Sequence, residues 1–427
     1  MKLHIEKPLY GGASLAHHEG QAIFVPFTLP GETVEAHLVE NKGSYSTAEV
    51  DAVLEPSPAR TDPPCPYFGP CGGCHYQHAA YAAQVEMKIA TLRETLERAR
   101  IRNIPEIAAL AGEPLGYRNR IRLHVQREPF ALCYKLRRSH ANLPVATCPI
   151  AAPSLQNAIA ILTREAAALG FADWATEVEL FTNSDDSALL AALWTKHPDR
   201  EAPRLLKELR PRLQQHLPTL VGAGVFSVEQ RRQPSRLLAN TGEHFLRYEV
   251  GGRPYRVSIG SFFQVNRSLL DPLVDSVTAN ESGAAAWDLY SGVGLFSVPL
   301  AEKFSQVTAV ESSASSVRDL RENLRGTHHR IVAADTAVFL SRAVQQRTPA
   351  PDLIVLDPPR AGLGREVTTA LGQIRAPRLT YVSCDPSTLS RDLAALLQAG
   401  YVIRSIRLVD LFPQTYHLES VIHLARR

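Results

Sequence analysis

The chain has 427 residues, of which 45% are hydrophobic and 21% are charged, and this ordinary composition excludes wholesale disorder, collagen and coiled coil. The length exceeds what one hydrophobic core usually spans, so about two or three domains are expected. The net charge of +3 identifies no polyanionic partner by itself, and no apolar run approaches the roughly 20 residues of a membrane-spanning helix.

Residues 1–55 begin without the apolar stretch of a secretory leader, so we expect a cytoplasmic protein with no membrane partner. The segment then reads as short strands separated by turns at Gly11–Gly12, Pro30–Gly31 and Lys42–Gly43. Strands of this length and spacing predict a small β-barrel. A proline-rich connector follows, as is typical of a linker, and we therefore assign the first domain to 1–55.

Three of the six cysteines, Cys65, Cys71 and Cys74, lie within ten residues with the spacing C-x5-C-x2-C. In a reducing compartment such a group indicates a metal site rather than disulfides. Four thiolates hold either zinc or an iron–sulfur cluster, and the spacing alone leaves both open. We favour Cys148 as the fourth ligand because a proline follows it, as one follows Cys65, whereas Cys133 lies in an apolar strand-like run.

The rest of a central α+β domain, 56–250, mixes helical and strand patterns. Residues 79–100 have apolar side chains at helical spacing, and we expect this helix to pack on the C-terminal domain. Further on, the patterns predict two strands and two helices. These are strands at 120–125 and 188–194, and helices at 155–169 and 204–216.

The segment 117–138 carries seven basic residues against one acidic residue, Glu128. The basic residues are Arg118, Arg120, Arg122, Arg127, Lys135, Arg137 and Arg138. The first three alternate, which places them on one face of a strand. With Tyr117, Phe130 and Tyr134 nearby for stacking, the pattern favours contact with RNA phosphates and unpaired bases over a merely solvated charged face.

From about residue 284 short apolar runs alternate with helical segments, a pattern typical of a parallel sheet covered by helices on both faces. The runs are 284–289, 307–310, 330–333, 353–356 and 379–383. Gly292 and Gly294 follow the first run and let the backbone turn tightly beside a ligand. Glu311 closes the second run, where a carboxylate can accept hydrogen bonds from ribose hydroxyls.

Ser297 stands where the third glycine of the dinucleotide fingerprint would fall. The pattern therefore resembles the class I S-adenosylmethionine-dependent methyltransferases more than a nicotinamide enzyme. Asp357 leaves the carboxyl end of a buried strand, where open α/β sheets bind ligands. The sequence Asp357-Pro-Pro also resembles the loop of amino-group methyltransferases, although those usually continue with an aromatic residue and this chain has Arg360.

Cys384 follows an apolar strand and precedes a helix start, where Asp385 is a candidate N-cap. A thiol near a helix N-terminus is tilted toward the nucleophilic thiolate. C5 of uracil is too poor in electrons to attack a sulfonium methyl, but a thiolate that adds at C6 makes C5 nucleophilic. A base must then remove the C5 proton. Glu419, in a strand that is apolar on both sides, suits a carboxyl group of raised pKa, and an exposed strand glutamate is the alternative.

Four segments together resemble the RNA 5-methyluridine methyltransferase family. They are Cys384-Asp-Pro-Ser-Thr, Asp357-Pro-Pro-Arg, Leu418-Glu-Ser-Val and Phe262-Phe-Gln-Val-Asn. The resemblance implies Cys384 as nucleophile, Glu419 as base, and cofactor contacts at Gln264, Tyr290, Glu311 and Asp357. Many members have asparagine where this chain has Leu295, so a contact through that side chain is in doubt, although the backbone can still serve.

The resemblance extends over nearly the whole chain. Residues 1–55 are similar to the family's TRAM domain, an oligonucleotide-binding barrel. The cysteine spacing matches one that holds a 4Fe–4S cluster in the family, here implying Cys65, Cys71, Cys74 and Cys148 as ligands. Residues 251–427 are similar to its Rossmann-like catalytic domain.

The sequence thus predicts a monomeric α/β enzyme with S-adenosylmethionine and a 4Fe–4S cluster as cofactors. Its expected reaction is methylation of C5 of a uridine in RNA, with 23S ribosomal RNA favoured over the T-loop of transfer RNA. An amino-group methyltransferase that uses Asp357-Pro-Pro and a non-catalytic RNA-binding iron–sulfur protein are the alternatives.

Overall fold

The structure, a computed structural model, describes residues 1–197, 199–229, 235–326 and 329–427. Within these ranges the strands form three sheets and one separate hairpin. No helix in the described ranges is long and apolar enough to cross a membrane.

Six strands at the N-terminus form the first sheet. They are β1 (Lys2–His4), β2 (Lys7–Pro8), β3 (Ala13–His18), β4 (Gln21–Pro26), β5 (Thr33–Asn41) and β6 (Tyr45–Glu55). Their order is β1-β5-β6-β4-β3-β2, and β1 also contacts β3, so the sheet curls. Leu3, Ile23 and Val34 lie in the small apolar core that the curled sheet encloses.

A segment of turns and isolated bridges follows and carries Cys65, Cys71 and Cys74. It leads into helix α1 (Tyr81–Arg98) and then strand β7 (Ile107–Leu110). Apolar side chains of α1, among them Leu92 and Leu96, pack in the core of the C-terminal sheet.

The central sheet has seven strands within the described ranges. They are β8 (Arg120–Gln126), β9 (Ala131–Lys135), β10 (Asn142–Pro144), β11 (Ala175–Thr182), β12 (Leu189–Thr195), β13 (Leu220–Ser227) and β14 (Leu237–Gly242). Their order is β10-β9-β8-β11-β12-β13-β14. Among the described strands of this sheet, only β12 and β13 pair in parallel.

Three helices pack on this sheet, α2 (Pro153–Arg164), α3 (Ala166–Leu169) and α4 (Ala202–His216). Leu155, Ile159 and Leu162 of α2 are buried because their spacing puts them on one face of the helix. The prediction of a single helix at 155–169 is wrong in one detail, because the helix is interrupted at Glu165, between α2 and α3.

The hairpin of β15 (Phe245–Val250) and β16 (Arg253–Ser258) leads to the C-terminal sheet. The strands of that sheet after β7 are β17 (Gly283–Leu289), β18 (Phe304–Glu311), β19 (Arg330–Ala333), β20 (Leu353–Leu356), β21 (Arg378–Ser383), β22 (Tyr401–Val409) and β23 (Glu419–Arg426). The order is β19-β18-β17-β20-β21-β23-β22-β7. Within this order β23 alone runs antiparallel to its neighbours.

The accompanying helices are α5 (Leu270–Thr278), α6 (Ser297–Ala301), α7 (Ala314–Asn323), α8 (Thr336–Gln345), α9 (Gly364–Ile374) and α10 (Pro386–Gln398). Among the described residues three apolar clusters contain residues of this sheet. This is the doubly wound α/β arrangement that the alternating sequence pattern predicts.

Candidate active site

Residues from several strands meet at the carboxyl edge of the C-terminal sheet. Tyr290, Asp357 and Cys384 directly follow β17, β20 and β21, and Glu311 is the last residue of β18. Because β23 runs in the opposite direction, its first residue, Glu419, lies at the same edge. The sequence-predicted nucleophile, base and cofactor residues are therefore brought together.

The sheet register sets Cys384 beside Glu419. Ser383 of β21 is paired with Ser420 of β23, so the next residue along one strand faces the preceding residue of the other. Glu419 is only 2% exposed, and its Oε1 has no hydrogen-bond partner. Burial first, and then Asp357, raise the pKa of Glu419 well above its usual value. The predicted direction of this shift is confirmed, and the alternative of an exposed strand glutamate is wrong.

The end of α10 next to Cys384 is capped as predicted, but its effect on the thiol differs from the prediction. Asp385 Oδ1 accepts hydrogen bonds from the backbone N–H groups of Ser387 at 2.9 Å and Thr388 at 3.0 Å. Burial nevertheless raises the pKa of Cys384 to about 12, with Glu419 adding to the effect. The prediction of a thiol tilted toward thiolate is wrong for this state because desolvation outweighs the helix end.

Two residues near the thiol have opposite effects on it. Asp357 raises the pKa of Cys384, whereas Arg360 lowers it. The pKa of Asp357 is itself raised by burial and by Asp288, and a hydrogen bond from Gln264 opposes the shift. Gln264 is buried, so the Phe-Phe-Gln-Val-Asn segment reaches the same edge as the Asp357-Pro-Pro loop.

The glycine turn after β17 has the conformation that the sequence predicts. Gly292 and Gly294 have positive φ angles of 55° and 94°, and a Cβ atom on Gly294 would lie 2.8 Å from Leu320 Cδ1. Nothing lies within 4 Å of a Cβ placed on Gly292, so the turn faces open space. Glu311 Oε2 accepts a hydrogen bond from Gly292 N at 2.9 Å, which holds the strand-end carboxylate beside the turn.

Two side chains next to this turn take part in packing. Leu295 is 6% exposed and lies in the apolar core, which agrees with the doubt about a cofactor contact through its side chain. Asp288 is fully buried, and its Oδ2 accepts a hydrogen bond from Ser297 Oγ. Its Oδ1 has no partner, and burial raises the pKa of Asp288 to about 7.

The cysteines Cys65, Cys71, Cys74 and Cys148 line one cavity of about 610 Å³. Burial is the main cause of the raised pKa values of the first three, and Cys148 contributes to each. Cys133 is fully buried and does not line the cavity. Among the described residues no group of three or more His, Cys, Asp or Glu side chains is placed to hold a metal ion.

The basic segment 117–138 differs from its predicted form, because acidic partners come from elsewhere in the chain. Arg122 binds Glu177 and stacks on Trp194, with its Cζ 3.6 Å from the ring centroid. Arg120 lies over Phe181 and donates to the carbonyl of Ser261 at 2.7 Å.

Further basic residues of the segment are also paired. Arg127 pairs with Asp173, and Arg137 with Glu49. The prediction of an unopposed basic strand face is therefore wrong. The acidic partners could not be recognised in the local sequence because they lie far away in the chain.

The aromatic side chains predicted to stack on bases also make contacts within the protein. Tyr117 is 1% exposed and donates to the carbonyl of Pro413 at 3.0 Å. Phe130 packs edge-on against Phe171, and Tyr134 lines the cysteine cavity. Tyr117 is thus closed to a base, and Phe130 and Tyr134 pack partly buried against the central core, so the three do not form one open stacking surface.

Sequence reasoning missed a group of residues that surrounds the nucleophile. Tyr10, from the turn between β2 and β3, donates to Asp385 Oδ2 at 3.1 Å and packs edge-on against Tyr416. Arg360 Nη2 lies 3.4 Å from both ring nitrogens of His417. The alternation of apolar and polar residues gives no signal for such contacts, because the partners lie far apart in the chain.

The fold and this site define a class I S-adenosylmethionine-dependent methyltransferase. The tRNA (uracil-54, C5)-methyltransferase of Pyrococcus abyssi, solved in complex with S-adenosyl-L-homocysteine, superposes with a TM-score of 0.78 at 22% identity. The match covers 100% of both chains, and at this identity it shows the fold.

Sequence comparisons identify the family. Residues 80–427 match the family described as tRNA (Uracil-5-)-methyltransferase, and residues 1–50 match the TRAM domain. An uncharacterized RNA methyltransferase of Aquifex aeolicus is 33% identical over 99% of this chain and 97% of its own length. The 23S rRNA (uracil(1939)-C(5))-methyltransferase RlmD of Pectobacterium atrosepticum is 32% identical, over 96% of this chain and 90% of its own length.

The chain therefore belongs to the tRNA (Uracil-5-)-methyltransferase family and is an S-adenosylmethionine-dependent RNA uracil-C5 methyltransferase. The family resemblance, the fold class and the TRAM domain that the sequence predicts are confirmed.

Proposed function

We propose that the protein methylates C5 of a uridine in 23S ribosomal RNA through a covalent bond between Cys384 and C6 of the base. The observation that carries the proposal is the placement of Cys384, one residue beyond the Ser383–Ser420 pair, beside a buried Glu419 whose Oε1 has no partner. An amino-group methyltransferase has no use for this pair. The target base is expected to flip out of its stack, because C6 must be reached from the face of the ring.

Cys384 acts first. Its thiolate adds to C6 and pushes the ring electrons toward O4, which makes C5 nucleophilic. Burial raises the pKa of Cys384, and Arg360 is the cation that favours its thiolate. S-adenosylmethionine, when bound, would supply the methyl group that C5 takes, with its methyl–sulfonium bond broken and S-adenosylhomocysteine left.

Glu419 acts second. Its carboxylate removes the proton from C5, the C–H electron pair forms the C5–C6 double bond, and the bond between sulfur and C6 breaks. The thiolate leaves, and the methylated uracil is released. A carboxyl group with a raised pKa is a stronger base than an ordinary glutamate once it ionises.

The residues at the strand edge fit the cofactor. Glu311 is set to accept hydrogen bonds from ribose hydroxyls, and the open turn at Gly292 and Gly294 lets the cofactor approach the backbone. We assign the remaining cofactor contacts to Tyr290, Gln264 and Asp357.

The decisive experiment uses RNA that carries 5-fluorouridine at the target position. Fluorine replaces the C5 proton, so the base step is blocked and the adduct should persist through denaturing electrophoresis. Wild-type protein should form this adduct, and Cys384→Ala should not. Retention of methyl transfer by Cys384→Ala would favour the amino-group alternative instead. Failure to bind S-adenosylmethionine in calorimetry would favour a non-catalytic RNA-binding protein.

For the RNA substrate we favour 23S ribosomal RNA, since the RlmD relative of Pectobacterium atrosepticum is 32% identical over 96% of this chain. Transfer RNA is the second candidate, because the Pyrococcus abyssi structure is of a tRNA methyltransferase. Labelled-methyl transfer to separate rRNA and tRNA pools that lack the modification, followed by nucleoside analysis, distinguishes the two.

We propose that Cys65, Cys71, Cys74 and Cys148 hold a 4Fe–4S cluster. In support, all four line one cavity. The role of the cluster is structural, to hold a segment of few regular elements. A colourless, zinc-containing preparation would contradict this assignment and leave the enzymatic proposal intact.

The three-domain division at 1–55, 56–250 and 251–427, the monomeric state and the cytoplasmic location remain predictions from the sequence. Size-exclusion chromatography with light scattering checks the oligomeric state directly.

A further inference from the structure

The residues 410–418, here named the base loop, connect β22 to Glu419 at the start of β23. Since no hydrogen bond restrains Oε1 of Glu419, its position depends on the backbone that leads into it. What holds the base loop therefore also affects the proposed base. Two side chains of α1, more than 300 residues away in sequence, hold it.

The first is Lys88, which forms a buried ion pair with Asp410. Both side chains are 0% exposed, and Lys88 Nζ lies 2.5 Å from Asp410 Oδ1. The same nitrogen donates to the carbonyl of Phe412 at 2.9 Å. A buried pair of this kind is weak evidence for stability, because apolar residues of similar size often stabilise a fold as well. The more informative feature is that the pair, together with the bond to Phe412, holds the base loop in one conformation.

The second is Gln84, whose amide group forms two hydrogen bonds with Gln414. Gln84 Nε2 donates to Gln414 Oε1 at 2.9 Å, and Gln414 N donates to Gln84 Oε1 at 2.9 Å. Gln414 has a positive φ of 69°, a strained conformation that must be held by its surroundings. The backbone N–H groups of His75 and Tyr76, which follow Cys74, both donate to the carbonyl of Gln414.

We propose that Lys88 and Gln84 are positioning residues that fix the base loop and thereby aim the carboxyl group of Glu419 at the C5 proton. The inference rests on the proposed function, because it needs Glu419 to be the base. It goes further by assigning the control of that single step to α1. Neither side chain acts on substrate directly, since both are buried in contact with the loop.

The test compares Lys88→Met with Lys7→Met as a matched control. Lys7 also pairs with α1, through Glu94 at 2.7 Å, but the pair is partly exposed and neither residue belongs to the base loop. We expect Lys88→Met to lower kcat by about 10- to 100-fold, with KM changed by less than about threefold. Methylated adduct should accumulate on natural RNA, because addition and methyl transfer continue while proton removal slows.

Trapping on 5-fluorouridine RNA separates the steps. It does not need the base, so Lys88→Met should trap at nearly the wild-type rate, and Lys7→Met should resemble wild type in every assay. Unchanged kcat for folded Lys88→Met, or a loss of trapping equal to the loss of kcat, overturns the positioning role. If wild-type protein itself fails to trap, the covalent mechanism is wrong, and this outcome is distinct from the first two.

Loss of Lys88 leaves Asp410 buried and unpaired, which can destabilise the fold. The variant Lys88→Met/Asp410→Leu removes both charges and should restore the melting temperature. The positioning role predicts that adduct still accumulates on natural RNA in this stable variant. Full recovery of kcat together with the melting temperature would show that the pair is structural only. Gln84→Leu should give the same accumulation more weakly, because the backbone bonds to Gln414 remain.

Discussion

At the scale of single residues, the carboxyl group of Glu419 must ionise to act as a base. Burial raises its pKa, so the fraction of active carboxylate rises with pH through a range above that of an ordinary glutamate. We expect Glu419→Gln to lower turnover by about 10²- to 10⁴-fold and to accumulate methylated adduct on natural RNA. Electrophoresis after denaturation measures the adduct, and release of free methylated RNA at the wild-type rate would contradict the assignment.

Asp288 gives a stability prediction of definite sign. Burial raises its pKa from 3.8 to about 7, so between these pH values the folded state binds more proton than the unfolded state. Folding stability should therefore fall as pH rises through this window, by about 2–4 kcal/mol. In Asp288→Asn this part of the pH dependence should disappear. Urea unfolding at pH 4.5 and 7.5 compares the two proteins, and parallel pH profiles would contradict the prediction.

At the scale of elements, the cap of α10 connects the N-terminal sheet to the nucleophile. Asp385 accepts two backbone hydrogen bonds through Oδ1 and one from Tyr10 through Oδ2. Asp385→Ala should lower stability by about 1 kcal/mol. Asp335, which caps α8 through Ala337 N and Val338 N, provides the benchmark. In denaturant unfolding, Asp385→Ala should lower the free energy of unfolding by at least as much as Asp335→Ala does. A smaller decrease would contradict a stabilising contribution from the Tyr10 hydrogen bond.

The elements themselves were largely predictable from the sequence. The run 353–356 coincides with β20, whose four residues are all buried, because strands buried on both faces read as continuous apolar segments. The run 330–333 coincides with β19, an edge strand that is only partly buried. The alternation of strands and helices predicted a parallel sheet, in which the carboxyl ends of the strands share one edge. Asp357 and Cys384 lie at that edge because they follow β20 and β21. The break at Glu165 was not predictable, because the apolar pattern of α2 continues into α3.

At the scale of the whole molecule, prediction failed where distant segments meet. Arg122 looked unopposed because Glu177 lies 55 residues further along the chain. Nothing in the helical pattern at 79–100 distinguishes Lys88 from a solvent-facing residue, since its partner Asp410 is 322 residues away. A polar side chain that pairs within a tertiary contact has the same local pattern as one that faces solvent, so only the three-dimensional structure separates them.

The cysteine cavity is lined by two parts of the molecule, the segment that precedes α1 and residues 118–150 of the central domain. Cys71 lies in the segment between the N-terminal sheet and α1, and Cys148 lies just before α2. A cluster that bonds both would tie that segment, and with it the Gln414 carbonyl, to the central sheet. Cys148→Ser should therefore lose iron and the visible absorption of the cluster. Cys133→Ser, at a buried cysteine outside the cavity, should retain both.

The effect of cluster loss on the reaction should also follow the geometry. Because His75 N and Tyr76 N donate to the carbonyl of Gln414, freeing the cysteine segment should loosen the base loop more than the cofactor turn at Gly292. Cys148→Ser should thus bind S-adenosylmethionine in calorimetry with nearly wild-type affinity while its turnover falls. Equal losses of cofactor binding and turnover would mean that the cluster supports the whole fold, and retention of iron by Cys148→Ser would exclude Cys148 as a ligand.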